Sequence, residues 1–290
     1  MRLSGKDRIA LSAGGYTAKV APAAGGRVAS LVRRVDGEDH PLLVEWTGAE
    51  FDEHAWPKAG AFAMLPFANR LPREGFRFGG RMVRPEPGPA GFALHGIAHR
   101  RPWDVVLSTP SRVVMRYAHD GADSGWPWAW SATQEVRLAE SGMTVTISVR
   151  NESCEPMPLA MGWHPYHAVP ADIAPGGLRF DAGARRDIDT NGRAQGPEIE
   201  PVFLMRRGET AAFEGWTGGL QLRGPCGGTI AIGSEGAGEL VLHRPATGDY
   251  LCAEPVGALP GHLAGALPLQ PAETRRLSWT CDYQAAAFKE

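Results

Sequence analysis

The chain of 290 residues has no long hydrophobic run. No stretch approaches the roughly 20 apolar residues that a membrane-spanning helix requires. The first residues, MRLSGKDRIALSAGGY, also lack the apolar centre of a signal peptide. The sequence therefore predicts a cytoplasmic protein with no membrane partner.

An excess of one charge sign is also missing. Lysine and arginine number 30 and aspartate and glutamate 32, so the net charge is −2. A chain without a cationic excess has no overall field to hold a nucleic acid or an anionic membrane, and we expect a small, neutral or locally charged ligand instead.

Cysteine is scarce, with four residues and no CxxC pair: Cys154, Cys226, Cys252 and Cys281. This spacing argues against a zinc site and against a small disulfide scaffold. We predict that the four cysteines are buried small hydrophobic residues.

The sequence also lacks the apolar period of 3.6 residues that is typical of helices. Glycine or proline interrupts most candidate helices before three turns can form. Alternating apolar and polar residues are common instead. From Gln134 to Val149 two such runs flank Glu140-Ser141-Gly142, which predicts a β-hairpin. Similar alternation occurs at 10–20, 27–32, 105–117, 219–222, 229–232, 239–243 and 275–280.

These strands predict an all-β protein. No composition shift or polar linker divides the chain, so we expect residues 1–290 to form a single domain. No repeat of fixed period is present, which disfavours a propeller and leaves a large antiparallel β-sandwich.

Two segments carry residues suited to acid–base chemistry. His164 stands in Trp163-His164-Pro165-Tyr166, where proline predicts a rigid turn and the aromatic rings offer flat surfaces of the kind that face sugars. Glu254 follows an apolar run and precedes Pro255, where we expect a strand to end. A carboxylate on such a segment can have a raised pKa and act as a general base. Each residue taken alone also fits a structural role.

Two further segments offer ligand contacts. Asn69-Arg70 can present an amide and a guanidinium to neighbouring hydroxyls or to a phosphate, although a surface salt bridge is an equal alternative. His95 precedes Gly96, which allows close approach of a ligand or a tight turn, and it can equally be a buried structural histidine. His95 and His99 have the spacing of helical metal ligands, but the surrounding residues disfavour a helix, so we expect no metal.

In their order along the chain, these segments resemble the aldose 1-epimerase family, also called galactose mutarotases. The blocks share the family's order and spacing, and the resemblance spans about residues 15–282. The matching blocks are Pro66-Phe67-Ala68-Asn69-Arg70, Phe76-Arg77-Phe78-Gly79-Gly80, Leu94-His95-Gly96 with the later Trp103, His164-Pro165-Tyr166, Glu254-Pro255, and Leu269-Gln270-Pro271-Ala272-Glu273-Thr274.

The resemblance implies a galactose mutarotase-like supersandwich that interconverts sugar anomers with neither metal nor cofactor, as a monomer or homodimer. It implies that Glu254 is the general base and His164 the general acid, with roles that exchange on ring closure. His95 and Arg70 would contact the ring oxygen or hydroxyls, and Asn69 and Tyr166 are further expected substrate contacts.

The sequence departs from the family pattern at one expected contact. Many relatives have an aspartate in a Leu-Asp-x-x-Phe-x-Gly-Trp segment, and here Thr210 occupies its position in Glu209-Thr210-Ala211-Ala212-Phe213-Glu214-Gly215-Trp216. A threonine cannot offer a bidentate carboxylate to paired hydroxyls. We therefore expect Thr210 to contact the substrate with a different specificity.

Three alternatives remain open from the sequence. One is a mutarotase of a phosphorylated sugar, with cations drawn from Arg70, Arg73, Arg84 and Arg100. The second is a sugar-binding or sensing protein without turnover. The third is a lyase or glycoside-processing enzyme on a sandwich fold.

Overall fold

A computed structural model describes residues 7–48, 50–88, 91–122, 125–170, 173, 177–189, 191–199 and 205–285. Alternating apolar residues form two large antiparallel sheets, and in addition β6 (Phe76–Phe78) and β7 (Arg81–Val83) form a small hairpin. Short 3₁₀ turns are Pro22–Ala24, Ala98–Arg100, Pro225–Gly227 and Leu263–Gly265. None of the helical segments in the described ranges has the length and apolar character needed to span a membrane.

The front sheet has twelve strands and carries the site described below. Its strands are, from one edge to the other, β1 (Ile9–Ala13), β2 (Tyr16–Ala21), β3 (Arg27–Val35), β5 (Ala61–Met64), β12 (Gly162–Pro165), β21 (Tyr250–Val256), β20 (Glu239–His243), β17 (Thr210–Glu214), β15 (Ala184–Ile188) and β16 (Ala194–Ile199), with β4 (Glu38–Pro41) paired to β3 and β13 (His167–Ala168) paired to β21.

The back sheet has eight strands and closes the other side of the sandwich. In spatial order they are β14 (Leu178–Phe180), β18 (Gly219–Arg223), β19 (Thr229–Glu235), β22 (Thr274–Gln284), β11 (Gly142–Asn151), β10 (Trp130–Ala139), β9 (Arg112–His119) and β8 (Asp104–Thr109).

The main hydrophobic core lies between the two sheets. Ala61 and Ala63 of β5 belong to the same buried cluster as Val145 and Ile147 of β11. Trp163 of the front sheet meets Trp279 of the back sheet with ring centroids 5.9 Å apart. This packing confirms the predicted antiparallel β-sandwich.

The outer face of the front sheet has its own buried cluster. Phe62, Met64, Cys252 and Val256 belong to it. The sequence neighbours of the first three, which include Ala63 and Ala253, belong to the main core. Successive side chains of a strand point to opposite faces. His164 is paired with Phe62 across β12 and β5, so it lies on this outer face, and Glu254 shares the face because it lies two residues from both Cys252 and Val256.

The predicted hairpin at 134–149 is confirmed, because β10 and β11 pair along their whole length around Glu140-Ser141. Two other predicted alternations, at 10–20 and 105–117, are each two strands joined by a tight turn rather than one strand. In the first of them Gly14 and Gly15 both have positive φ, which reverses the chain.

The strand that was expected to end at Pro255 continues one residue further, since β21 ends at Val256. β21 pairs with β12 at only one register position, Gly162↔Val256, so a residue without an N–H removes little from this ladder. The prediction of a rigid turn at Pro165 is wrong, because Pro165 is the last residue of the strand β12.

The cysteine prediction holds for two of the four residues. Cys252 and Cys281 are fully buried on strands. Cys154 and Cys226 are exposed because one follows the end of β11 and the other lies in a 3₁₀ turn, where no sheet covers the side chain.

Candidate active site

An open cavity of about 700 Å³ lies on the outer face of the front sheet. This volume is within the usual range for small-molecule sites. All seven residues that the sequence nominates line it: Asn69, Arg70, His95, His164, Tyr166, Thr210 and Glu254. The sheet thus brings together residues that are separated by up to 185 positions in the chain.

His164 and Glu254 are in direct contact at this cavity. The imidazole Nε2 lies 3.3 Å from the carboxyl Oε1, and the two side chains are only 8% and 3% exposed. Within the described part of the chain, His164 Nδ1 and Glu254 Oε2 have no hydrogen-bond partner. Buried polar atoms normally have partners, so this pair has unused capacity to bind a ligand.

Burial sets the protonation of the pair. It raises the pKa of Glu254 to about 8, although the nearby Lys58 ammonium opposes the shift. Burial also holds the pKa of His164 well below its usual value, and the nearby His95, Lys58, His243 and Arg27 lower this pKa further. Both shifts favour a neutral carboxyl on Glu254 and a neutral imidazole on His164 when no ligand is bound.

His95 is positioned by two adjoining turns. Its φ is 58° and that of Asn69 is 60°, a left-handed conformation that is unusual for residues other than glycine. The His95 N–H donates to the Asn69 carbonyl at 3.0 Å, and the Asn69 N–H donates to His95 Nδ1 at 3.3 Å. A Cβ on Gly96 would lie 1.9 Å from the Leu65 carbonyl oxygen, so glycine is required there.

This hydrogen bond selects the tautomer of His95. Burial holds the pKa of His95 well below its usual value, so the ring is neutral. Because Nδ1 accepts a hydrogen bond, the proton of the neutral ring is on Nε2, which can donate to a ligand oxygen. Backbone strain of this kind concentrates at functional sites.

Aromatic rings fix the orientation of His164. Phe62 and Tyr166 each stack on the imidazole, with ring centroids at 4.8 and 4.7 Å. Tyr166 is only 2% exposed, so its ring is itself fixed by packing and restricts the movement of the His164 imidazole. Trp163, expected to offer a surface to a sugar, instead faces the sandwich core because it lies one residue from His164 on the strand.

Thr210 is paired with a second polar side chain at the cavity. Its hydroxyl oxygen lies 2.8 Å from Nδ1 of His243, the residue paired with it across β17 and β20. The adjacent Glu209 also lines the cavity, but its carboxylate is engaged by Arg185 at 2.8 Å. A hydroxyl–imidazole pair therefore lines this part of the cavity.

The four arginines considered for a phosphate do not converge on this cavity. Among them only Arg70 lines it, while Arg73 stacks on Phe92 in a neighbouring cavity and Arg100 interacts with His99 and the Leu94 carbonyl. Acidic residues also line the cavity, so it has no excess of cations. Its charged residues are Lys58, Arg70, Arg185, Asp187, Asp189, Glu209 and Glu254.

Sequence reasoning missed several lining residues. His243 ends a strand that was predicted, and the period of two could have placed it on the same face as Glu254. Trp56 and Lys58 come from a loop without a pattern, where the Lys58 ammonium lies 4.4 Å from the Trp56 ring centroid. Fully buried Arg27 holds this loop by donating to the Ala59 carbonyl at 2.7 Å.

Comparison with known proteins shows what this chain resembles. The family model "Aldose 1-epimerase" matches residues 7–196. The uncharacterised Escherichia coli K12 protein YphB is 26% identical over 182 residues, which are 60% of this chain and 61% of that protein. The aldose 1-epimerase of the same organism is 28% identical over 103 residues, 34% of this chain and 30% of the enzyme.

A solved structure shows that the fold is shared along nearly the whole chain. A galactose mutarotase-like protein from Clostridium acetobutylicum superposes with a TM-score of 0.81 at 17% identity, and the match covers 96% of this chain and 95% of that one. The two sheets described above therefore form a galactose mutarotase-like fold. On the family match over residues 7–196, the chain belongs to the aldose 1-epimerase family.

Proposed function

We propose that the protein is an aldose 1-epimerase that interconverts the α and β anomers of a sugar. One observation carries the proposal: the His164 imidazole and the Glu254 carboxyl meet at 3.3 Å at an open cavity of about 700 Å³. Opening of a hemiacetal ring needs one acid and one base at the same time. A site that only binds sugar has no need of such a pair.

The reaction moves two protons and breaks one bond. The base removes the proton of the C1 hydroxyl, C1 becomes a carbonyl carbon, and the C1–ring oxygen bond breaks as the acid protonates the ring oxygen. Rotation of the carbonyl followed by the reverse steps gives the other anomer. A positioned acid or base contributes about 10²–10⁴-fold to such a rate.

In this proposal Glu254 is the base and His164 the acid. The proton that burial places on Glu254 must first pass to His164, across the contact between Oε1 and Nε2. A sugar hydroxyl that donates to the carboxylate stabilises its charged form, as the Lys58 ammonium does. Substrate binding therefore favours the catalytic protonation state.

The other lining residues bind and orient the sugar. Nε2 of neutral His95 donates a hydrogen bond to the ring oxygen or a hydroxyl, and Arg70 and Asn69 contact hydroxyls from the same side. The Thr210–His243 pair offers hydroxyl and imidazole groups where relatives have a carboxylate. The balance of acids and cations in the cavity favours a sugar without a phosphate group.

The direct test follows optical rotation of freshly dissolved α-glucose and α-galactose, together with other aldoses and aldose phosphates. We expect the protein to accelerate mutarotation of at least one unphosphorylated aldose above the buffer rate. A protein that binds sugars without accelerating any of them would be a sugar sensor of the same fold. Preference for an aldose phosphate would refute the neutral substrate.

The pH dependence of kcat/KM provides a second prediction. The pair holds one proton between the lowered pKa of His164 and the pKa of Glu254 near 8. Above that pH the free enzyme loses the shared proton, and kcat/KM should fall about tenfold per pH unit. On the acid side activity should persist below the usual histidine pKa, because burial disfavours a second proton. The measurement is polarimetry with the buffer rate subtracted, and a rate constant that stays level to about pH 10 would contradict a proton shared by this pair.

A further inference from the structure

A buried thiol beside the acid–base pair is a third group that the proposed reaction does not use. Cys252 lies on β21 two residues before Glu254, on the same face of the strand. Its Sγ, an imidazole nitrogen of His164 and a carboxyl oxygen of Glu254 all lie within 4.8 Å of one another. All three side chains are buried.

A thiolate, an imidazole and a carboxylate together are a zinc donor set. Zn²⁺ binds these groups at about 2.3, 2.0 and 2.0 Å in a tetrahedral arrangement, which separates the nitrogen and oxygen ligands by about 3.3 Å. The observed distance between His164 Nε2 and Glu254 Oε1 is 3.3 Å. Tetrahedral coordination separates the sulfur from the nitrogen and oxygen ligands by about 3.5 Å. The sulfur lies within 4.8 Å of both atoms, so it must approach them by at most about 1.3 Å.

The surroundings leave room for an ion to enter and to be coordinated. His164 and Glu254 both line the open cavity, so an ion can reach them from solvent. Glu254 Oε2 and His164 Nδ1, the atoms of the pair that do not make the 3.3 Å contact, have no hydrogen-bond partner among the described residues, and both side chains are more than nine-tenths buried. Each side chain therefore offers an ion a second, unpartnered ligand atom. A water molecule or a sugar oxygen from the cavity would complete the tetrahedron, as in zinc sites with three protein ligands.

We propose that His164, Cys252 and Glu254 form a Zn²⁺ site and that its occupation switches off the acid–base pair. On binding, the thiol and the carboxyl each release a proton to solvent, and zinc accepts electron pairs from sulfur, nitrogen and oxygen. The pair then has neither the proton nor the free base that ring opening requires. The inhibition depends on the proposed function, whereas metal binding stands independently of it.

This site differs from the zinc sites that a sequence scan detects. The chain has no CxxC, and its ligands come from two strands, with His164 on β12 and a Cys-Ala-Glu run on β21. The alternation of side chains along β21 places Cys252 and Glu254 together, and pairing of β12 with β21 brings His164 beside them. Spacing in the sequence therefore did not predict it.

Titration with Co²⁺ tests the site, because a thiolate ligand gives cobalt a sulfur-to-metal charge-transfer absorption. We expect this band in the wild type, and competition by Zn²⁺ gives the zinc affinity. Cys252→Ala should abolish the band and weaken Zn²⁺ binding at least about tenfold, since even loss of an outer-shell partner costs about 10–100-fold. Cys252→Ser keeps the side-chain size in case the alanine variant does not fold.

The chain provides matched controls. Cys281→Ala removes the other buried cysteine, which lies in the back sheet, and should leave the band unchanged. Replacement of the exposed Cys154 and Cys226 by serine should do the same. A wild type without the band, or a band that persists in Cys252→Ala, would overturn the zinc site.

Polarimetry separates the two proposals. In an active wild type, Zn²⁺ should inhibit mutarotation, a chelator should restore it, and Cys252→Ala should need at least about tenfold more zinc for the same inhibition. A protein that shows the cobalt band but has no mutarotase activity after the metal is removed with a chelator would refute the proposed function and leave the metal site standing. Full activity with zinc bound would refute the switch.

Discussion

His164→Ala and Glu254→Gln are each expected to reduce kcat for mutarotation by about 10²–10⁴-fold, because each removes one member of the acid–base pair. The kcat of the double variant should be only slightly lower than that of the less active single variant, because neither residue can act without the other. Optical rotation of the preferred aldose provides the rate. Additive losses in the double variant would show that the two residues act independently.

The controls separate chemistry from folding and binding. His54→Ala removes an exposed histidine outside the cavity and should leave the rate unchanged. Glu254→Gln keeps the shape of the side chain, so sugar binding measured by calorimetry should survive at a weakened level. If Glu254→Gln retains the wild-type rate, Glu254 is not the base, whatever its position beside His164.

Glu254→Gln should also change how stability depends on pH. The pKa of Glu254 is raised from 4.5 to about 8 in the folded protein, so the folded state binds this proton more tightly than the unfolded chain does. Stability from this group is complete below about pH 4.5 and is lost as pH rises to about 8. At 1.36 kcal/mol per unit, the wild type should lose on the order of 4 kcal/mol relative to Glu254→Gln over that interval.

Denaturant unfolding of both proteins at about pH 4.5 and about pH 9 measures this difference, because each comparison uses the same buffer. His164 is present in both proteins, so its own titration largely cancels. Glu38→Gln, at an exposed position of β4, is the matched control and should follow the wild type at both pH values. An equal gap between wild type and Glu254→Gln at both pH values would mean that the buried carboxyl titrates normally.

The fold and most of the cavity were accessible from the sequence for physical reasons. Strand alternation is a local pattern, and therefore the hairpin at 134–149 could be predicted without knowledge of its neighbours. The motif residues His95, His164 and Glu254 could be nominated because their family blocks are short and ordered. The distances between these residues could not be predicted, because they depend on β12, β5 and β21 lying side by side in the sheet.

The residues that were missed depend on long-range register. His243 meets Thr210 because β17 and β20 pair in one register, and a shift of one residue would part them. Lys58 lies in a loop whose position depends on buried Arg27, far from any recognisable motif. Trp163 was expected to face a sugar because its neighbours in sequence suggested it, but its place on a strand sends it into the core.

Side chains of the front sheet alternate between its two faces, with Ala63 inside and Phe62 outside. The sheet should therefore tolerate substitutions better than insertions or deletions. A substitution at an outward position alters the pocket and leaves the interior packing intact, so substrate preference can drift through single replacements such as Thr210. Deletion of one residue within β12 or β21 would exchange the two faces and turn His164 or Glu254 toward the space between the sheets. Divergence in these strands should therefore proceed by replacement, with insertions and deletions confined to the connecting loops.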